Sequence, residues 1–445
     1  MKQMAMLAVV LWVALGVTAA LAAGGKVLYC SPAGQDAPGR GTEAAPLKTI
    51  NYAFAQIGKA GGATVVLLDG AHRKPGSGWA FDQPVTLRAK NRHKASIDRL
   101  FLNRAKNLVV DGLTIDRKSS AAVVNVLHIA GWSSYCTVRN CIITHGAGGH
   151  QNTDPVKINQ GAHHILIEDN EIFDGTDEEV DLLQDIHDVV IRRNLVYQLR
   201  IKKKDEALIS NKRRAFRVMY QGNLLANLNP ESSNGALRFG GSVKGGEECH
   251  TLIALGNLFV NTTGRGAMTF AGAKQCLVAD NIFVNHNDRR TGAVTIYSNR
   301  PNSDLVNDEL FVIHNIFYNV TGPRKRPVHS FPPKAQACFP KRYTISHNLY
   351  WNPVVAVPKH GVHRPHTEKA AVFKDPMFAG DLAKLTGRPT AEWFDILKLK
   401  PESPFLANTV DLAKLPLPAG LKQFLKDYRG EGKDPWYREI NPKQD

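Results

Sequence analysis

The chain has 445 residues, two to three times a common domain, so it is either several domains or one extended repeat architecture. Its six cysteines (Cys30, Cys136, Cys141, Cys249, Cys276 and Cys338) are too few to form a disulfide scaffold for such a length. They show no zinc-type spacing, which leaves room for one or two bridges at most. A formal charge of +16 draws the protein toward polyanions, and no nucleic-acid-binding motif accompanies that charge, so specific nucleic acid is not expected.

Residues 1–22 read as a secretory signal. Lys2 precedes the apolar run MAMLAVVLWVALGV and the small-residue pattern Ala20-Leu21-Ala22, which places cleavage before or near Ala23. The alternative is an uncleaved anchor. With the signal removed, no stretch is long and apolar enough to span a bilayer, and a secreted or periplasmic monomer is expected. Residues 46–59, PLKTINYAFAQIGK, carry apolar residues at helical spacing, and GGATVVLLDG follows as a strand. This combination predicts a cap helix over the open end of a sheet stack.

From there the chain repeats itself. A β-rich run, an Asn, then two or three apolar residues recur at Asn140 (VRNCII), Asn170 (IEDNEIF), Asn194 (IRRNLVY), Asn223 (YQGNLLA), Asn257 (ALGNLFV), Asn281 (VADNIFV), Asn315 (VIHNIFY) and Asn348 (ISHNLYW). Spacings of 24 to 34 residues with β-branched runs and no amphipathic helical pattern exclude a strict helical solenoid. An antiparallel sandwich would show turns every ~8–12 residues. The pattern therefore predicts an all-β, single-stranded, right-handed parallel β-helix over residues 23–354, N-terminal cap included, with asparagines laddered at its corners. Residues 355–445 (KDPMFAGDL, DILKLKPESPF, AGLKQFLKDYRG) form an irregular, Pro-containing tail expected to cover the other end.

Two charged stretches stand out. GTDEEVDLLQDIHDVVIRRN, residues 175–194, holds six carboxylates, and alternation puts Val180 and Leu182 on one side of a strand with Glu179, Asp181 and Leu183 on the other. Between Arg192 and Arg217 lie ten basic residues, a candidate cationic groove for an acidic polysaccharide.

The opening YCSPAGQDAPGRGTEAAPLKTINYAFAQ with GGATVVLLDG, and the close KDPMF with KPESPF, resemble secreted members of the pectin-lyase-like superfamily of parallel β-helix proteins. The resemblance covers essentially the whole mature chain and implies the fold. It does not select a reaction, because that superfamily includes lyases, hydrolases, epimerases, esterases and proteins without activity.

Within the superfamily, ILIEDNEIFDGTDEEVDLL is similar to the calcium-binding units of pectate lyases, which implies a calcium site on Glu168, Asp177 and Asp181. Calcium takes roughly six to eight oxygens, and carboxylates of neighbouring coils can converge to supply them. The order KKKDEALISN, VMYQGNLLAN, NGALRFGG also resembles a pectate lyase and puts Arg238 on an arginine of the family motif. Ser233 stands where the catalytic arginine is expected, Gly235 where the proline is, and Asp205 where the lysine is. Elimination across a uronate needs a base near the carbon α to the carboxylate and positive charge on that carboxylate. Lys204 or Arg213 is the expected base, Arg238 the expected stabiliser, and Asp154, Lys202 and Lys212 the expected substrate contacts.

A weaker resemblance is to polygalacturonases. Asn152-Thr153-Asp154, Asp177-Glu178 and Arg200-Ile201-Lys202 match parts of their motifs, and an inverting hydrolase would place Asp154 and Asp177 ~6.5–9.5 Å apart. The expectation is thus a calcium-assisted lyase acting on an acidic polysaccharide. A glycoside hydrolase and a non-catalytic envelope or matrix binding protein remain as alternatives.

Overall fold

The computed structural model describes residues 25–117, 125–145, 153–199, 207–227, 235–241, 248–264, 266–286, 292–296, 306–320, 328–330, 340–354 and 368–428. Within them the strands form three sheets of 12, 11 and 9 members, and each coil adds one strand to each sheet in turn. One full turn runs through His163–Glu168 in the first sheet, Glu171–Phe173 in the second and Val180–Leu183 in the third, and then returns to the first at His187–Arg192. Each strand pairs in parallel with its counterpart one coil on, as Ile165 with Val189 and Val180 with Ile209. The protein is an all-β parallel β-helix.

Alternation along each strand explains the core. Ile165, Ile167, Ile172, Val180 and Leu182 point inward, are fully buried, and stack on the inward residues of the next coil, Val189, Ile191, Val196 and Ile209. Inside the later coils the stack becomes aromatic, with Phe259, Phe283, Phe317 and Tyr350 in succession at centroid spacings of 4.5, 4.8 and 5.2 Å. Cys30, Cys136, Cys141, Cys249 and Cys276 are buried thiols without disulfides, and Cys338 lies outside the described residues.

The turn from first to second sheet is two residues long. Its first residue takes a left-handed conformation, as Asp169, Arg193, Gly222 and Gly256 do. Its second is a buried Asn. The side chains of Asn170, Asn194, Asn223, Asn257, Asn281, Asn315 and Asn348 form a ladder. Nδ2 of Asn223 donates to Oδ1 of Asn257 at 2.9 Å and to the Ile191 carbonyl at 2.9 Å, while Oδ1 of Asn223 accepts from Asn194 at 3.0 Å. Glu368 closes the ladder at one end, accepting from both the backbone N–H and Nδ2 of Asn348. At the other end Cys141 occupies the slot, and its N–H donates to Asn170. Asn140, expected as a repeat position, is displaced by one residue: Arg139 pairs with Glu168, so Asn140 falls on the left-handed turn position and donates to Asp111.

The N-terminal helix Ile50–Ile57 starts at Thr49, whose hydroxyl caps the Tyr52 N–H. It buries Ile50, Ala53 and Phe54, the last packed edge-on against Trp79 and Phe81. The tail does more than close the far end. Bridges from Ser346 to Lys369 and from Leu349 to Val372 continue the last coil, and the chain then runs back along the outside of the stack. Helix Ala419–Tyr428 lays Leu421, Phe424 and Leu425 on the outer row Leu166, Val190, Met219, Ile253, Leu277 and Phe311 of the first sheet. Phe378, Leu385, Trp393, Ile396 and Phe405 cover the outer row Tyr197, Leu224, Leu258, Val284 and Ile316 of the second. The reason lies in the strands: these outer rows are apolar and need a cover. Among the described residues no helix is long and apolar enough to cross a membrane.

Two outcomes test this description. Asn223→Ala removes one rung and leaves the Asn194 amide and the Ile191 carbonyl unpaired, at a cost of about 2–4 kcal/mol in denaturant unfolding; a loss under 1 kcal/mol would contradict the ladder's role. Burial pushes the Glu368 carboxyl up to about 7 from an ordinary 4.5, against the hydrogen bonds it accepts from Tyr350 and Asn348. A raised folded value means that the folded state holds the proton more tightly. This contribution is complete below about 4.5 and is lost as pH rises to about 7. Glu368→Gln, which keeps the accepting oxygen, is expected to flatten melting temperature against pH over that window. Identical profiles for the two proteins would refute the assignment.

Candidate functional site

The third sheet differs from the other two on its outer face. The middle residue of each short strand points outward, and register lines these residues up as His128, Lys157, Asp181, Ser210, Arg238, Thr269, Thr295 and Ser330. The connections bordering this sheet are also the long ones. They run from Thr144 to Val156, Gln198 to Ile209 and Val284 to Val294 on one side, and from Gly240 to Cys249 and Ile296 to Asp308 on the other. The polar row is thus the floor of the face where chain length varies, the usual location of function on a rigid scaffold.

At its centre is a cluster of five charged groups from successive coils. Asp154 lies just before strand Val156–Ile158, Glu178 just before Val180–Leu183, and Asp181 within the latter. All three are at most 2% exposed, and oxygens of the three lie within 4.8 Å of one another. Lys157 Nζ donates to Asp154 Oδ2 at 3.0 Å and to Asp181 Oδ2 at 2.6 Å. Lys212 Nζ forms an ion pair with Asp181 Oδ1 at 3.0 Å and a closer contact with Glu178 Oε1. Among the described residues Asp154 Oδ1 and the Ser210 hydroxyl are buried without a hydrogen-bond partner.

Three acids facing two ammonium groups cannot all ionise at equal cost. Burial, reinforced by Asp181 and Glu178, pushes the Asp154 carboxyl well above the usual range against the pull of Lys157. Burial and Asp181 likewise raise Glu178, with Lys212 opposing. Burial acts on Asp181 in the same direction, but Lys212 and Lys157 together overcome it and hold Asp181 below its ordinary value. Both lysines are raised despite burial, by Asp154 and Asp181 for Lys157 and by Glu178 and Asp181 for Lys212. Asp181 is thus the acid of the three most favoured to be anionic.

Of the residues singled out in the sequence, Asp154, Asp181 and Lys212 come together here. Arg238 lies two coils further along the same row, and its charge acts on Lys212. Asp177 adjoins the cluster and helps to raise Glu178. Glu168 is not part of it. It sits in the first sheet, where Arg192 Nε and Arg193 Nη2 donate to its Oε2 at 2.9 and 2.8 Å. Arg213 is exposed in the turn from third to first sheet, with its backbone N–H bound to Glu248. Lys202, Lys204, Ser233, Asn152 and Arg200 lie outside the described residues.

Among the described residues the basic run does not form one groove. Arg192 and Arg193 pair with Glu168, Arg214 with Asp185, and Arg217 with Asp188 and Asp427, all on the first-sheet side. Sequence reasoning missed Lys157 and did not place Glu178 in the expected site. The missed signal is the apolar–polar–apolar triplet recurring as LHI, VKI, VDL, LRF, MTF and VTI, with ISN departing from it only at Asn211.

The expected calcium set therefore fails as a set, because Glu168 is elsewhere. The cluster that does form also fits calcium poorly, since an ammonium nitrogen already stands at Asp181 from either side. Calcium needs roughly six to eight oxygens at about 2.3–2.6 Å.

No family model matches the chain, and no curated protein matches it. Solved structures do. The A-module of the Azotobacter vinelandii mannuronan C-5 epimerase AlgE6 is 12% identical with a TM-score of 0.50, over 74% of this chain and 91% of that one. Pectate lyase Pel9A is 10% identical at 0.44, over 85% and 90%. PfbA, a surface adhesin of Streptococcus pneumoniae, is 12% identical at 0.42, over 70% and 76%. The chain shares the parallel β-helix fold with such structures, and at such identities the likeness carries no further than the fold.

Removing Asp181 would leave two partly buried ammonium groups without their shared anion. Asp181→Ala is expected to cost on the order of 3 kcal/mol, with Asp181→Asn intermediate. Chemical denaturation checks this, and an unchanged midpoint for the alanine variant would show the cluster to be electrostatically idle.

Proposed function

We propose that the protein acts on an acidic polysaccharide outside the cytoplasm, as a lyase that eliminates across a uronate ring. One observation carries this reading: a buried layer of carboxylates underlies cations that face the outer side of the third sheet. The side chains of Asp154, Glu178 and Asp181 are 2–3% exposed, those of Lys157 and Lys212 are 21% and 13% exposed, and Arg238 is half-buried two coils beyond Asp181 on the same row. The acids hold the cations in place, and the cations meet the polymer's carboxylates.

In this reading Lys212 first passes its proton to Glu178, which burial has already made a better proton acceptor than an ordinary carboxylate. Exclusion of water by bound polymer favours this neutral pair. The free amine then takes the proton α to the uronate carboxylate. The released electron pair forms the ring double bond and the glycosidic C–O bond breaks, with the leaving oxygen recovering the proton from Lys212. Arg238 and Lys157 stabilise the negative charge that builds on the carboxylate during the step.

Hydrolysis is less well supported. Asp154, Glu178 and Asp181 offer oxygens within 4.8 Å of one another and paired with lysines, not two carboxyls ~6.5–9.5 Å apart with room for water. At the rim, the Trp132 indole is 68% exposed and lies across Gly161, where an added Cβ would come within 2.5 Å of the ring. It offers a flat apolar face to a sugar ring.

Ultraviolet absorbance of a 4,5-unsaturated product on polygalacturonate, alginate and glycosaminoglycans tests the proposal. Lys212→Met is expected to lower the rate about 10²–10⁴-fold. Because the ion pair and the neutral pair hold the same number of protons and the Lys212 pKa is raised, the wild-type rate should stay level from neutral into the mildly alkaline range. Absence of the chromophore on every polymer, with polymer still bound, would replace this reading with that of a binding protein.

A further inference from the structure

We infer that Lys157 is the site's resident counter-ion: its ammonium stands where a divalent cation would sit between Asp154 and Asp181, so the protein works without calcium until that lysine is removed. The inference deepens the proposed function, but its observations are independent of any reaction.

Three carboxylate-bearing residues from two successive coils present oxygens within 4.8 Å of one another, all buried, which is the arrangement of an oxygen-donor metal site. Two ammonium groups project into it: Lys212 on the side of Glu178 and Asp181, and Lys157 between Asp154 and Asp181, with its Nζ 3.0 Å from the first and 2.6 Å from the second. Its strand places it there by register, because Lys157 pairs directly with Asp181. Among the described residues Asp154 Oδ1 is buried without a hydrogen-bond partner, an oxygen left over on the carboxylate that Lys157 holds.

An ammonium is monovalent and tethered, and it fills the space at no entropic cost from solution. A calcium ion arriving at the wild-type protein would have to displace Lys157 from two ion pairs and leave its charge beside the ion. With the lysine truncated, the Asp154 and Asp181 oxygens that it bridged, with Glu178 close by, are left facing a position suited to a hard divalent cation. Lys212 remains on the far side of Asp181 to limit the charge.

Calorimetric titration of calcium chloride into the full chain, with no polymer present, tests this. The wild type is expected to show no saturable binding below millimolar calcium, and its melting temperature should not change between calcium and chelator. Lys157→Ala is expected to bind one calcium with a Kd of roughly 10⁻⁴–10⁻³ M, in the range of modest oxygen-donor sites. If truncation weakens the fold, calcium should raise the melting temperature of Lys157→Ala and leave that of Lys157→Arg unchanged. Adding Asp154→Asn to Lys157→Ala should abolish the gain. Tight binding of calcium to the wild type overturns the inference, and so does a Lys157→Ala protein that neither binds calcium nor is stabilised by it. These readouts involve no sugar chemistry, so a failure of the lyase assay leaves them standing, and their failure leaves the assay interpretable.

Discussion

The buried asparagine ladder is the constraint on which the remaining architecture depends. Each rung satisfies a carbonyl and a backbone amide of the preceding coil, as Asn223 does for the Ile191 carbonyl and the Asn194 N–H, so the laddered corner between first and second sheets admits two residues and no insertion. That corner fixes coil-to-coil register. Differences in coil length must then appear elsewhere, and they appear on the two borders of the third sheet. A ladder with no ligand of its own thereby decides which face of the molecule carries variable loops over a fixed row of side chains.

The same stacking gives the site its electrostatics. In a solenoid of parallel strands, outward residues of successive coils are near neighbours, so acids and bases placed on one row interact whether or not they are close in sequence. Here the row alternates sign around Asp181, and burial makes each pairing costly to break. Lys212 and Lys157 together hold Asp181 below its ordinary value, and burial raises Asp154 and Glu178. A surface ion pair would have neither property, because solvent would screen it.

Much of the fold was legible because repetition is a property of the sequence itself. The Asn-apolar repeat and the β-branched runs named the coils, and the helical spacing of residues 50–57 named the N-terminal helix. What the sequence concealed was register. Asn140 looks like a rung, but Cys141 holds the rung's place, and only strand pairing distinguishes the two. Glu168 looks like part of an acidic site, but it points from a different sheet and meets Arg192 and Arg193. Lys157 looks like an unremarkable lysine between valine and isoleucine until the neighbouring coil sets it opposite Asp181. Local motif likeness reads spacing along the chain, whereas this site is assembled across it.

The tail has a consequence for how the molecule is made. The outer rows of the first and second sheets, from Leu166 to Phe311 and from Tyr197 to Ile316, are covered by residues that lie after nearly all of the coils in the chain. As the polypeptide emerges from its N-terminal end, coil after coil can pair with its predecessor while these apolar strips stand bare. They are shielded only when the last part of the chain has been synthesised and folds back. For the time between its first coil and its final helix, the growing β-helix is therefore a sticky, one-dimensional assembly with two open flanks, and its safe maturation depends on speed of completion or on an external holdase.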